Sequence, residues 1–262
     1  MKLSISNIGW NAEEDECVLE LMQKHGFIGL EIAPTKIFPE NPYEKIGEAK
    51  NWVDKLKASH GFKVSSMQSI WYGRSEKIFG NEEERDVLLS YTKRAIDFAE
   101  ILGCKNLVFG CPKNRSIPEG ANIETALHFF KTLGDYAFEH NTVVAMEANP
   151  PIYNTNFLNT TNEAIDFIEK VDSKGFLLNL DVGTMIENGE SLALLKKKEN
   201  LINHVHISEP GLKKIQNRNL HKELASLLRK KNYDRYISIE VGLQGDIEEL
   251  SRMMDYVKEI FG

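Results

Sequence analysis

Cysteine is scarce in this sequence: Cys17, Cys104 and Cys111 are the only three in 262 residues. An odd, sparse set at no metal-like spacing fits neither a disulfide framework nor a cysteine zinc site, so a reducing, cytoplasmic setting is expected. Long apolar runs are missing too. None reaches the ~18–20 residues that a bilayer-crossing helix needs, so no membrane association is expected. The opening MKLSISNIGWN has no apolar leader region. Positive charge is in deficit, with 32 Lys and Arg against 39 Asp and Glu and a net charge of −7. That balance argues against a nucleic-acid partner. No glycine-rich phosphate turn follows the first strand-like stretch, where Ser6-Asn7-Ile8-Gly9 stands instead. A doubly wound nucleotide-binding sheet would carry one there. No linker or low-complexity stretch divides the chain, and residues 1–262 read as one domain.

What is present is a repeated alternation. Short apolar runs at Lys2–Ile8, Phe27–Ile32, Val64–Gln68 and Asn106–Phe109 read as strands 1 to 4. Four more end in or near a polar group: VVAMEANP (Val143–Pro150), FLLNLDVGTM (Phe176–Met185), NHVHISEP (Asn203–Pro210) and YISIEVGL (Tyr236–Leu243). Between them lie helical patterns, over about Tyr43–His60, Glu82–Leu102 and Asn122–His140 among others, with a last helix opened by Asp246. Thr160 with Glu163 three residues on forms a capping-box pattern. Helix-stop signals at Gly26, Gly61, Gly103, Asn141 and Gly175 recur every 34 to 42 residues, the length of a βα unit. Eight such units predict an α/β fold, a closed (β/α)8 TIM barrel.

In such a barrel the chemistry sits at the carboxyl ends of the strands. Four polar side chains fall there: Glu147, Asp181, His206 and Glu240. Side chains alternate along a strand, so His204, His206 and Ser208 share one face, while Asn203, Val205 and Ile207 share the other. Three carboxylates converging without a basic neighbour would repel, and buried unpaired charge is costly. A divalent cation resolves the conflict. Three carboxylates and one imidazole make a hard, oxygen-rich site that suits Mn2+ first, with Mg2+, Co2+ or Zn2+ as alternatives. Around it, Lys113 and Arg115 could meet a phosphate or carboxylate. Glu31, Gln68, Glu209 and His221 could meet hydroxyls or orient ligands, and Trp10, Trp71 and Tyr153 could wall an apolar ligand face.

The stretches GLEIAPTKIF (Gly29–Phe38), VFGCPKNR (Val108–Arg115), MEANPPIYNTNF (Met146–Phe157), NLDVGTM (Asn179–Met185), HVHISEP (His204–Pro210) and SIEVG (Ser238–Gly242) resemble the xylose isomerase-like TIM-barrel superfamily of sugar isomerases and epimerases. The resemblance spans the whole chain. It implies one divalent metal on Glu147, Asp181, His206 and Glu240, the four positions that strand position and parity had already singled out. It also implies a small-molecule sugar or sugar phosphate as substrate. Two positions depart from the ketose 3-epimerase pattern: Thr184 stands where a substrate-binding histidine is usual, and Tyr153 where a second acid is usual. Gln68 replaces a histidine of the superfamily's endonuclease branch.

The reading is therefore a metal-dependent sugar or sugar phosphate isomerase or epimerase. Glu147 and Glu240 would move the proton through a metal-stabilised enediolate. The alternatives are a metal-dependent dehydratase of the inosose or dehydroshikimate type, and a non-catalytic sugar-binding barrel. A homo-oligomer is compatible with the sequence, which does not specify one.

Overall fold

Alternation builds the core. In each strand one set of side chains is branched and apolar and the other is small or polar, so a closed sheet buries the first set under helices and the second in its lumen. The computed structural model describes residues 1–262. Its strands are β1 (Lys2–Ser6), β2 (Gly29–Ile32), β3 (Lys63–Met67), β4 (Leu107–Phe109), β5 (Val144–Glu147), β6 (Phe176–Asp181), β7 (Ile202–Ile207) and β8 (Tyr236–Ile239). All pair in parallel and in sequence order, and β8 returns to β1 to close the barrel.

Ten α-helices intervene. They are α1 (Asp15–His25), α2 (Pro34–Ile37), α3 (Ile46–His60), α4 (Glu82–Leu102), α5 (Pro112–Arg115), α6 (Ile123–Glu139), α7 (Thr161–Val171), α8 (Val182–Glu187), α9 (Asn219–Lys230) and α10 (Ile247–Phe261). None is long and apolar enough to cross a membrane. The eight-fold repeat is thus uneven: after β6 the outer helix shrinks to α8 and two 3-10 turns at Leu192–Leu195 and Glu199–Leu201. The first strand stops at Ser6 and the chain turns through a 3-10 helix at Asn7–Gly9.

Caps set most of the helix limits. Thr160 accepts from the Glu163 amide while Glu163 reaches back to the Thr160 amide, the reciprocal box the sequence indicates. Gly26, Gly61, Gly103 and Asn141 all have positive φ at helix ends. Gly175 does not act as a stop. Asp172, at φ 48°, ends α7, and Gly175 is required by packing: a Cβ there would lie 2.1 Å from the Gly134 carbonyl oxygen.

The outward strand residues, among them Ile5, Ile32, Phe109, Met146, Leu180, Val205 and Ile239, join one apolar cluster with the inner helix faces. Within it Phe130 sits 4.8 Å from Phe109, 5.3 Å from Phe129 and 5.0 Å from Phe176, ring centre to ring centre. The lumen is different. Barrels of this type usually fill it with branched aliphatics; here Ser4, Ser6, Glu31, Ser66, Gln68, Asn179, His204, His206 and Ser238 are buried along it. They satisfy one another. Ser4 Oγ lies 2.5 Å from Ser65 Oγ, Gln68 Nε2 donates to Ser6 Oγ at 2.6 Å, and Asn106 Nδ2 donates to Ser66 Oγ at 2.9 Å.

One parity assignment fails. Strict alternation puts Asn203 on the face of Val205 and Ile207, away from His204 and His206, yet its Nδ2 donates across the barrel to Asn106 Oδ1 at 2.7 Å. The β6–β7 register explains it: Leu178 pairs with Ile202 and Asn179 with His204, so Asn203 is the extra residue of a bulge. A bulge lets one side chain leave the alternation without disturbing the rest.

Candidate active site

The bulge at Asn203 sets the register in which Asp181 and His206 stand opposite each other at the carboxyl ends of β6 and β7. Glu147 closes β5, and Glu240 directly follows β8. His206 is fully buried at the centre. Its Nδ1 lies 3.0 Å from Glu147 Oε1 and 3.2 Å from Glu240 Oε2, and its Nε2 lies 3.0 Å from Glu31 Oε2. His204, one layer deeper, puts Nε2 2.9 Å from the same Glu31 oxygen. The imidazole thus faces two carboxylates at the mouth through one nitrogen and a buried carboxylate through the other. That is the arrangement in which a ligand histidine is fixed in one tautomer.

Asp181 stands slightly apart. Its carboxylate caps α8, accepting from the Gly183 amide at 3.2 Å and the Thr184 amide at 3.0 Å, with the Ser208 hydroxyl also donating to it. Thr184 Oγ1 lies 2.8 Å from both Asp181 Oδ2 and the Ala148 carbonyl. At the position where the ketose 3-epimerase pattern would place a histidine, this chain therefore has a buried hydroxyl that tethers a carboxylate.

Electrostatics follow from burial and crowding. Burial pushes the Glu240 carboxyl up to about 7, against the pull of His206. Asp181 is also raised, by burial and by the Glu147 charge. His206 is raised well above the usual imidazole value, because the charges of Glu240 and Glu31 outweigh the cost of burying it. Glu31 is held low by His206 and His204 although burial opposes this. The mouth opens on a cavity of about 160 Å3 lined by Glu147, Asp181 and Glu240 with Gln68, Tyr153 and Glu209, and no lysine or arginine lines it. Ligand-type atoms of Glu147, His206 and Glu240 lie within 4.8 Å of one another, as do those of Glu31, His204 and His206. The first group converges at the mouth beside Asp181 without a permanent cation. Its mostly oxygen donor set fits a divalent metal ion.

The other residues singled out from the sequence divide. Gln68 reaches the cavity and donates to Glu31 Oε1 at 3.2 Å. Tyr153 also lines it, its hydroxyl accepting from the Gly211 amide at 2.9 Å. Glu209 lines it but is occupied by Arg218, whose Nε donates to Oε1 at 2.7 Å. Lys113 is exposed beside a neighbouring cavity. His221 lies elsewhere, buried on α9 with Nδ1 3.0 Å from the Tyr256 hydroxyl and its pKa pulled down to about 4 by burial. Trp10 and Trp71 are buried, donating to Asp15 and Thr92.

Arg115 turns inward rather than toward a ligand. Its guanidinium is fully buried and donates to the main-chain carbonyls of Glu147 at 2.7 Å and Leu158 at 3.2 Å. It anchors the end of β5 from behind. Arg115→Met is expected to lower stability by roughly 2–4 kcal/mol, since hydrogen bonds from a charged donor contribute about 1.5–3 kcal/mol each. Urea unfolding measures it; an unchanged midpoint would mean the guanidinium supports nothing.

Two contributors escaped the sequence reading. Asn179 Nδ2 donates to Glu147 Oε1 at 2.7 Å, and Asn149 Nδ2 donates to Glu147 Oε2 at 3.2 Å. Asn179 lies two residues before Asp181, and Asn149 two after Glu147. The same parity that found the acids points to both.

An eight-stranded parallel barrel with its polar cluster at the strands' carboxyl ends is a TIM-barrel protein. A family-wide sequence profile described as xylose isomerase-like TIM barrel matches residues 19–259, and the chain belongs to that family. No curated protein matches the sequence. Among solved structures the fold is similar to a D-psicose 3-epimerase, at 15% identity over 100% of both chains with a TM-score of 0.81. It is also similar to the 3-keto-D-glucoside 4-epimerase YcjR from E. coli, at 21% identity over 99% of both chains with a TM-score of 0.75. A third is an IOLI protein with a bound zinc atom, at 17% identity over 100% of this chain and 95% of that one, with a TM-score of 0.71.

Proposed function

We propose that the protein is a divalent-metal-dependent isomerase or epimerase of a small sugar or sugar phosphate. The observation that carries this reading is the pair Glu147 and Glu240. Their carboxylates reach from β5 and β8 to the same imidazole nitrogen, at a cavity that no lysine or arginine lines. Glu147, Asp181, His206 and Glu240 would hold the ion, with Mn2+ favoured for its tolerance of a carboxylate-rich set. Such an ion supplies Lewis acidity, making the C–H beside a sugar carbonyl easier to deprotonate.

The side chains do the rest. One of Glu147 and Glu240 takes the proton from that carbon and the other returns one. Return to the opposite face inverts the centre; return to the adjacent carbon moves the carbonyl, with the hydroxyl proton of the neighbouring carbon passing to the original carbonyl oxygen. Asn179 and Asn149 hold the Glu147 carboxylate with its two oxygens separately engaged, so its direction is set before substrate arrives. Glu31 keeps His206 oriented with Nδ1 toward the mouth. The named activities of the epimerases among the structural neighbours are consistent with this chemistry.

The test is proton exchange. The protein loaded with Mn2+ is incubated in D2O with a panel of ketoses, aldoses and their phosphates, and followed by NMR. Deuterium is expected at the carbon beside the carbonyl of at least one sugar, reversibly and with an epimer or isomer accumulating. Loss of water instead would identify a dehydratase. Binding without exchange on any sugar would leave a carrier and overturn the proposal.

A further inference from the structure

Beside the catalytic cavity lies a second hollow of about 450 Å3, and the two share Ser69, Cys111 and Pro112 in their walls. The inner cavity, at about 160 Å3, is smaller than the ~300–1,000 Å3 of ordinary small-molecule sites. The two spaces joined fall within that range. Ser69 and Cys111, which line both spaces, are non-glycine residues with positive φ, at 53° and 42°.

The outer hollow is a built surface. Trp71 is pinned in the core, with Nε1 donating to Thr92 Oγ1 at 2.8 Å and its ring edge-on to Phe109 at 4.6 Å. The next residue in the same turn, Tyr72, is thereby thrown outward and is 71% exposed. Asn114 ties the turn to the loop after β4, its Nδ2 donating to the carbonyls of Arg74 at 3.1 Å and Glu76 at 2.8 Å. Arg74 is committed to Glu76 and lies over the Tyr91 ring at 5.0 Å. Lys113, exposed and lining the same hollow, is the cation left to reach an occupant.

We infer that the outer hollow is a second sugar subsite, so that the substrate is a disaccharide or glycoside whose carbonyl-bearing ring enters the inner cavity while a second ring rests on Tyr72. This rests on the proposed carbonyl-sugar chemistry and names its substrate class. An exposed aromatic face matches the C–H face of a pyranose, and one lysine with nearby main-chain and serine groups matches its hydroxyls. Arg74 is paired with Glu76, so Lys113 is the free cation a phosphate would find there, whereas the exposed Tyr72 ring matches a sugar face better than an anion.

The experiment compares D-fructose with isomaltulose and maltulose, which carry a glucosyl ring on the same ketose, using the Mn2+-loaded protein in D2O. Exchange is expected with kcat/KM at least ten-fold higher for one of the disaccharides than for fructose. Tyr72→Ala is expected to bring that ratio to near one, and Lys113→Met to lower it several-fold. Equal exchange of all three sugars, or a ratio unmoved by Tyr72→Ala, overturns the subsite. If no sugar exchanges, the proton-transfer reading fails. The subsite is then decided by saturation-transfer NMR, where glucosyl protons of the disaccharides must receive magnetisation from the wild type and lose it in Tyr72→Ala. Their silence in the wild type overturns it.

Discussion

Glu147→Gln and Glu240→Gln are each expected to reduce deuterium exchange into the sugar by roughly 10²–10⁴-fold, the usual worth of a positioned acid or base. Gln keeps the shape and one carbonyl oxygen but cannot accept a proton. The neighbouring groups tolerate the change differently. Glu147 accepts from Asn179 and Asn149, so an amide must turn its oxygen to one donor and its NH2 against the other. The Glu240 carboxylate meets His206 and no amide donor, so Gln there is the milder structural change. Metal content of each purified variant separates the two roles a carboxylate has. Metal retained with exchange lost marks a proton carrier; metal lost with exchange lost marks a ligand. A variant that exchanges at the wild-type rate excludes that residue as acid or base.

The strand ends were readable in the sequence because burial on a barrel strand is a local, two-residue rhythm. Val205 and Ile207 against His204 and His206 state it in four residues, and the structure buries both histidines in the lumen against Glu31. The rhythm does not register a bulge. Asn203 turns inward because β6 and β7 slip by one residue, and nothing within β7 alone records its partner's register. Loops were less legible for a related reason. Lys113 and Arg115 stand two apart in one short helix, yet Lys113 is exposed while Arg115 is fully buried against main-chain carbonyls at Glu147 and Leu158. Which way each points depends on carbonyls more than thirty positions away. Trp71 and Tyr72 divide likewise, one into the core and one out of it. His221 looked like a site residue by type, but α9 places it against Tyr256.

Mn2+ is expected to raise the thermal midpoint far more at pH 8 than at pH 6. In the metal-free protein Glu240 is raised to about 7, and Asp181 and His206 are raised as well. Each therefore holds its proton in the folded state at pH values where the unfolded chain has released it. By linkage, folding stability falls as pH climbs from the unfolded value through the folded one. For Glu240 that window runs from about 4.5 to about 7 and amounts to about 3 kcal/mol at 1.36 kcal/mol per unit. His206 carries the decline further, since its contribution is complete below about 6.5 and is lost as pH passes its higher folded value. Glu31 runs the other way, its contribution present above about 4.5 and lost in acid. The metal-free protein should thus be most stable in mild acid. A divalent ion replaces those protons, and because the carboxylates and the imidazole must give them up, its affinity rises with pH. At a thousand-fold excess over the dissociation constant the gain is about 4 kcal/mol. For a chain of this size that is roughly 8–16 °C, with less than half of it at pH 6. Scanning calorimetry at both pH values with and without Mn2+ measures the difference. An equal shift at both, or the same shift in a Glu147→Gln, Glu240→Gln double variant, would place the ion somewhere other than among these carboxylates.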